Sequence, residues 1–136
     1  MKENYSLILV DDDPDDHFFF QQALKKINAK CELTSVYSGI ELLNLLLKKE
    51  DYSANLLPSP DLIILDLNMP SFTGFDTLER MKSNSLLSDI PVFVMSTSDN
   101  PKDSRKAIDM GALGYYGKPG TAGKLPQIIA EILISI

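Results

Sequence analysis

Three short stretches of the chain are apolar at every position: Leu7–Val10, Leu62–Leu65 and Val92–Met95. Each stops at a polar residue, Asp11, Asp66 and Ser96 respectively. A strand with one wet face alternates apolar and polar residues, whereas an unbroken apolar run suits a strand covered on both faces. Leu33–Tyr37 is a weaker run that includes Thr34 and Ser35, and Tyr115–Tyr116 is a very short one.

Helical spacing fills the intervals. Phe20, Ala23, Leu24 and Ile27 recur every three or four residues, after Pro14 and Asp15 offer a helix start. Ser38 is placed to cap a second helix carrying Leu42, Leu43, Leu46 and Leu47. Phe75, Leu78 and Met81 mark a short third helix. Pro101, Ala107, Ile108 and Met110 mark a fourth, with Gly111 as its stop signal. A fifth is predicted from about Thr121 to Ile134, through Leu125, Ile128, Ile129 and Ile132. Strand followed by helix, five times over, predicts an α/β fold with a doubly wound parallel sheet. The polar stretch Lys48–Pro60 reads as an extended loop before the third strand, not as a linker between domains.

At 136 residues the chain fits one domain spanning 1–136. Its formal net charge is -6, from 13 Lys and Arg against 19 Asp and Glu. Such a chain is repelled by nucleic acid phosphates and by anionic membranes, so neither is an expected partner. The single Cys31 has no internal disulfide partner, which fits a reducing compartment. The four apolar residues near the N-terminus are too few for a signal peptide, and no aliphatic run approaches a membrane span. A cytosolic, cytoplasmic location is expected.

Ligands of open parallel sheets bind beyond the carboxyl ends of the strands. There the sequence places Asp11, Asp12 and Asp13 after the first strand, and Asp66 after the third. Ser96 and Thr97 follow at the end of the fourth strand, and Lys118-Pro119 after the fifth. Taken singly, each acid reads as a helix cap or a turn residue. Together they repel one another unless a cation sits among them, and hard oxygen ligands favour Mg²⁺. An Asp carboxylate can act as a nucleophile toward phosphorus, with a divalent ion and Lys118 screening the phosphoryl oxygens and Ser96 donating to another.

Four motifs carry a family resemblance. They are Leu7-Ile8-Leu9-Val10-Asp11-Asp12-Asp13-Pro14, Asp61 to Pro70, Pro91-Val92-Phe93-Val94-Met95-Ser96, and Gly114-Tyr115-Tyr116-Gly117-Lys118-Pro119. In this order, and over essentially the whole chain, they resemble the CheY-like receiver domains of bacterial two-component response regulators. The resemblance implies a flavodoxin-like (βα)5 three-layer sandwich with strand order 2-1-3-4-5. It implies that Asp66 is the phosphorylated aspartate, Asp12 a direct Mg²⁺ ligand and Asp11 a ligand through water. Asp66 and the backbone carbonyl of Asn68 complete the implied metal set. Ser96 and Lys118 correspond to the family's switch hydroxyl and lysine, and Tyr115 to its aromatic switch position, where a ring turns inward. Asp13 looks like a turn or capping residue. Gly117 and Gly120 flank Lys118-Pro119 where larger residues are usual, which is expected to loosen that loop. The Lys48–Pro60 loop and the Asp13-Pro14-Asp15-Asp16 turn are similar to single-domain regulators serving phytochrome-type kinases.

The implied partners are a sensor histidine kinase and a downstream protein or histidine phosphotransfer protein. No turnover enzyme is expected, only self-catalysed phosphoryl gain and slow hydrolysis. The chain's end soon after the fifth helix is read as the lack of a covalent output domain. Ile128, Ile132, Leu133, Ile134 and Ile136 leave two readings open: a homodimer or partner face formed by the fourth helix, fifth strand and fifth helix, or core filling with a frayed tail. The alternative function is a Mg²⁺-dependent phosphohydrolase using an aspartyl-phosphate intermediate. Such enzymes place an acid two residues after the nucleophile, where this chain has Asn68, although an Asp11/Asp13 pair has the spacing. His17 is read as a solvated structural residue, Cys31 as a filler, and at least one of Phe18, Phe19 and Phe20 as exposed.

Overall fold

The computed structural model describes residues 4–47, 60–119 and 124–136. The elements run β1 (Tyr5–Val10), α1 (Pro14–Lys26), β2 (Cys31–Val36), α2 (Gly39–Leu46), β3 (Leu62–Leu65) and α3 (Gly74–Lys82). They continue with β4 (Val92–Ser96), α4 (Pro101–Asp109), β5 (Gly114–Gly117) and α5 (Leu125–Ile134). All strand pairs are parallel, in the order β2-β1-β3-β4-β5. This is the doubly wound sandwich expected, with its change of winding direction at β1/β3.

The unbroken apolar runs follow directly from the layering. Leu7, Leu9, Leu62, Ile64, Phe93 and Met95 face one core, which α1 closes with Phe20 and Leu24 and α5 with Ile129 and Ile132. Ile8, Val10, Ile63, Leu65, Val92 and Val94 face the other, closed by α2, α3 and α4 through residues such as Leu42, Leu78 and Ala107. Neighbouring residues on one strand point to opposite faces, so both must be apolar when both faces are covered. Among the described residues β2 pairs only with β1, which is why half-buried Thr34 and Ser35 are tolerated there. Its pairing extends back to Cys31 opposite Tyr5, two residues before the apolar run that announced it.

Several helix ends match their caps. The side chains of Asp13 and Ser38 accept the N–H groups of Asp15 and Glu41, satisfying donors that the first turn leaves free. Thr73 and Asp76 form a reciprocal capping box at α3. Gly111 follows α4 with φ of 107°, a conformation glycine reaches without strain.

Two expectations need correction or limits. His17 is not solvated but buried, because it lies three residues before Phe20 and so shares the inward face of α1. Its ring packs against Tyr37 with centroids 4.4 Å apart. The predicted start of the fifth helix at Thr121, the Gly120 position and residues 48–59 of the long loop lie outside the described residues. Cys31 is a half-buried residue against the α1/α5 core, as a filler should be. Phe18 and Phe19 are exposed and Phe20 is buried. Ile132 and Leu133 fill the core, whereas Ile134 and Ile136 are exposed.

Candidate functional site

Four candidate residues reach one edge of the sheet because each stands at the carboxyl end of a strand, whereas Tyr115 lies second in β5. Asp11 follows β1, Asp66 follows β3, Ser96 ends β4 and Lys118 follows β5. The main chain fixes these ends by continuing the ladder. Asp11 N–H donates to Val36, Asp66 N–H to Val10 and Lys118 N–H to Ser96, at 2.8 to 3.0 Å. That last bond anchors Lys118 although Gly117 beside it adds no side chain, so the loosening expected there is restrained at the lysine itself.

A carboxylate oxygen from each of Asp11, Asp12 and Asp66 lies within 4.8 Å of the other two. Asp11 and Asp66 are buried and Asp12 is exposed, so the cluster opens to solvent on one side. They line an open basin of about 660 Å³ together with Asn68, Thr97 and Lys118. Lys118 Nζ sits 2.9 Å from Asp11 Oδ2, 2.8 Å from Asp16 Oδ2 and 3.4 Å from Asp66 Oδ2. One ammonium therefore faces three carboxylates.

The electrostatics reflect that shortage of positive charge. Burial pushes the Asp11 carboxyl up to about 7, against the opposing pull of the Asp13 N–H and Lys118. Burial also raises Asp66, with Lys118 and the Asn68 N–H working the other way. Burial opposes charge on Asp16 as well, but the bonds from Lys118 and Asp11 prevail and its pKa is lowered. Lys118 is raised despite its own burial, because Asp16, Asp11 and Asp66 all favour the ammonium. These acids fit a hard divalent cation: the donors are oxygens, and neither Cys nor His stands among the three clustered residues.

A neutral network leaves the basin in the opposite direction. Asn68 N–H approaches Asp66 Oδ1 at 3.2 Å, and its side-chain amide donates to Ser96 Oγ and Thr97 Oγ1 at 3.2 and 3.1 Å. Ser96, fully buried, also accepts the Ser98 N–H at 3.2 Å. The Tyr115 hydroxyl donates to the Ser98 carbonyl at 2.7 Å. Hydrogen bonds thus lead from Asp66 to the half-buried Tyr115 ring without a charged side chain between them.

Three residues escaped the sequence reading. Asp16 was seen only as part of an acidic turn, since a first-turn Asp already suits the helix dipole. Gly74 packs so closely on β3's end that a methyl group there would overlap the Asp66 carbonyl. His17 Nε2–H donates to the Asp11 carbonyl, 2.8 Å away, and its Nδ1 has no hydrogen-bond partner among the described residues. The spacing His17, Phe20, Leu24 was the available signal for its burial. Asp13, the partner in the hydrolase alternative, is committed instead to capping α1 at 2.9 Å.

A five-stranded doubly wound sheet carrying an acid cluster, a buried hydroxyl and a lysine at its switch point defines a receiver class of signalling domain. The chain matches the response regulator receiver domain over residues 7–130, and it belongs to that family. Among relatives, the two-component response regulator ORR4 of Oryza sativa subsp. indica is 32% identical over 97% of this chain, which spans 61% of that protein's length. Response regulator Rcp1 of Synechocystis sp. is 35% identical over 93% of this chain and 84% of its own. Among solved structures, the phosphorylated cyanobacterial phytochrome response regulator RcpA superposes with a TM-score of 0.86 at 33% identity, covering 95% of this chain and 91% of that one. The Mn²⁺-bound form of Rcp1 gives a TM-score of 0.83 at 30% identity, covering 94% and 91%. Among the described residues no helix is long and apolar enough to cross a membrane.

Proposed function

We propose that this receiver takes a phosphoryl group on Asp66 from a histidine kinase or a phosphotransfer protein, and passes the event to a partner protein by rearranging Ser96 and Tyr115. The observation that carries this reading is the placement of Asp66. Its buried carboxylate lines an open basin, within 4.8 Å of two further acids and 3.4 Å from the Lys118 ammonium. In the transfer, an Asp66 oxygen attacks phosphorus and the P–N bond of the donor phosphohistidine breaks. The imidazole keeps the bonding pair and leaves neutral, already protonated on its other nitrogen. Mg²⁺ held by Asp11, Asp12, Asp66 and the Asn68 carbonyl would neutralise charge on the phosphoryl oxygens.

Lys118 supplies a point charge to the same group, and the Ser96 hydroxyl turns its proton toward another oxygen. That turn removes the acceptor now used by Asn68 and Ser98, which is how the event reaches Tyr115. The domain ends each event carrying the phosphoryl group, so it acts as a signalling module and not as a turnover enzyme. Resemblance to RcpA and Rcp1 favours a phytochrome-type kinase as donor, in the cytosol. Ile108, Leu113 and Ile134 stay exposed on or beside α4, β5 and α5, which supports a protein contact there, with a second copy among the partners that fit.

The test is intact mass after acetyl phosphate and Mg²⁺. Wild type is expected to gain one phosphoryl group and Asp66→Asn none. Equal labelling of both proteins would refute the assignment.

A further inference from the structure

Resting on the phosphoacceptor reading, we propose that Asp16 is a positioning residue that holds the Lys118 ammonium away from Asp66 until a phosphoryl group arrives. The lysine is nearer to Asp16, at 2.8 Å, than to Asp66, at 3.4 Å. Asp16 reaches it from the first turn of α1, across 102 residues of sequence. Asp11 holds the same ammonium from the end of β1, at 2.9 Å.

Negative charge arriving on Asp66 draws the ammonium toward it, and one of the two shorter contacts must then loosen. Solvent access decides which. The Asp16 side chain is 32% exposed and regains water when released, whereas that of Asp11 is 2% exposed and would be left buried without its partner. A cleft of about 250 Å³, lined by Phe19, Phe20, Met95 and Leu125, runs beside Lys118 and leaves its stem room to shift. Asp16 therefore competes with the phosphoryl group for Lys118, setting how readily the site accepts an anion.

Beryllofluoride with Mg²⁺, followed by fluorine NMR, reports that competition without turnover. Asp16→Asn is expected to bind the mimic about fivefold more tightly than wild type, the scale of a partly exposed ion pair. In a Lys118→Met background the same change should alter affinity by less than about twofold, since the two residues act as a pair. Asp16→Glu, which keeps the carboxylate, should stay near wild type. Should Asp16→Asn fail to fold, Asp16→Ser carries the same expectation. Unchanged affinity, or equal tightening with and without Lys118, overturns the proposal; equal tightening would reduce Asp16 to a bare charge. A wild type that does not bind the mimic refutes the phosphoacceptor reading and this inference with it. A competent wild type with an unmoved Asp16→Asn refutes the inference alone.

Discussion

The two halves of the basin are built from different chemistry. On the β1/β5 side, Asp11, Asp16 and Lys118 are joined by charge-assisted contacts of 2.8 to 2.9 Å. On the β4 side, Asn68, Ser96, Ser98 and Tyr115 are linked by neutral hydrogen bonds of 2.7 to 3.2 Å. Charged groups in a poorly solvated site interact strongly and answer to protons and cations. Neutral bonds contribute about 1 kcal/mol each and exchange partners at small cost. If the proposed phosphoryl transfer holds, the division has a use: the ionic half suits capture of an anion and the hydroxyl half suits rearrangement.

The largest way to break that contrast is to remove the ammonium that faces these acids. Lys118→Met leaves Asp11, Asp16 and Asp66 without their shared counter-charge. The metal-free protein at alkaline pH is expected to lose about 3 kcal/mol in urea unfolding, the usual cost of stranding one side of a buried pair. The loss should shrink in mild acid, where protonation relieves the stranded acids. A pH-independent loss would mean that lysine packing, not charge, was removed.

Next in size is the pH response of the unaltered protein. Asp11 has its folded pKa raised from 3.8 to about 7, so the folded state holds that proton more tightly than the unfolded chain does. Its contribution is fully present below about 3.8 and is lost as pH rises through about 7. Asp66 moves in the same direction. Asp16, lowered, works the other way, and its contribution is lost on acidification below its ordinary range. Without Mg²⁺ the net expectation is a Tm that falls by several degrees between mildly acid and neutral pH. Saturating Mg²⁺ should flatten the slope, because the cation replaces the proton. A metal-free Tm that rises across this window would contradict the account.

The same division explains what the sequence made legible. Leu62–Leu65 announced a doubly covered strand because burial on both faces writes itself into consecutive residues, and Asp66 then followed as its open end. Asp11, Asp12, Ser96 and Lys118 were legible by the same rule, and the geometry brings them together. Asp16 was not, because its partner lies 102 residues away and no local pattern encodes that pairing. For His17 polarity argues for solvent, but its spacing to Phe20 and Leu24 on α1 puts it inside. Gly74 carries no sequence signal, because a glycine at a helix start is ordinary and its close approach to the Asp66 backbone exists only in the folded chain. The edge strand β2 began earlier than its apolar run, since pairing to β1 sets its length and burial does not.

On the neutral half the expected effects are smaller and independent of pH. Ser96→Ala removes the acceptor of the Ser98 N–H and one of two acceptors of the Asn68 amide. A loss of about 1.5 kcal/mol is expected in urea unfolding, the same at acid and neutral pH, with phosphoryl gain on Asp66 retained. A pH-dependent loss would show that Ser96 belongs electrostatically to the acids and would erase the division.

The smallest effect is expected at Tyr115. Tyr115→Phe deletes one neutral bond to the Ser98 carbonyl, and because both groups are only partly buried, water can take the hydroxyl's place. The stability change should therefore stay near or below about 1 kcal/mol. The bond nevertheless ties β5 to the segment after β4, so its loss should appear locally. Amide exchange is expected to quicken at Ser98 and its neighbours while the Asp11 and Asp66 amides, held in the strand ladder, keep their protection. Quickening at Asp11 as well would mean that the hydroxyl network supports the ionic half mechanically. The two halves would then be one cooperative unit and not a capture site coupled to a separate relay.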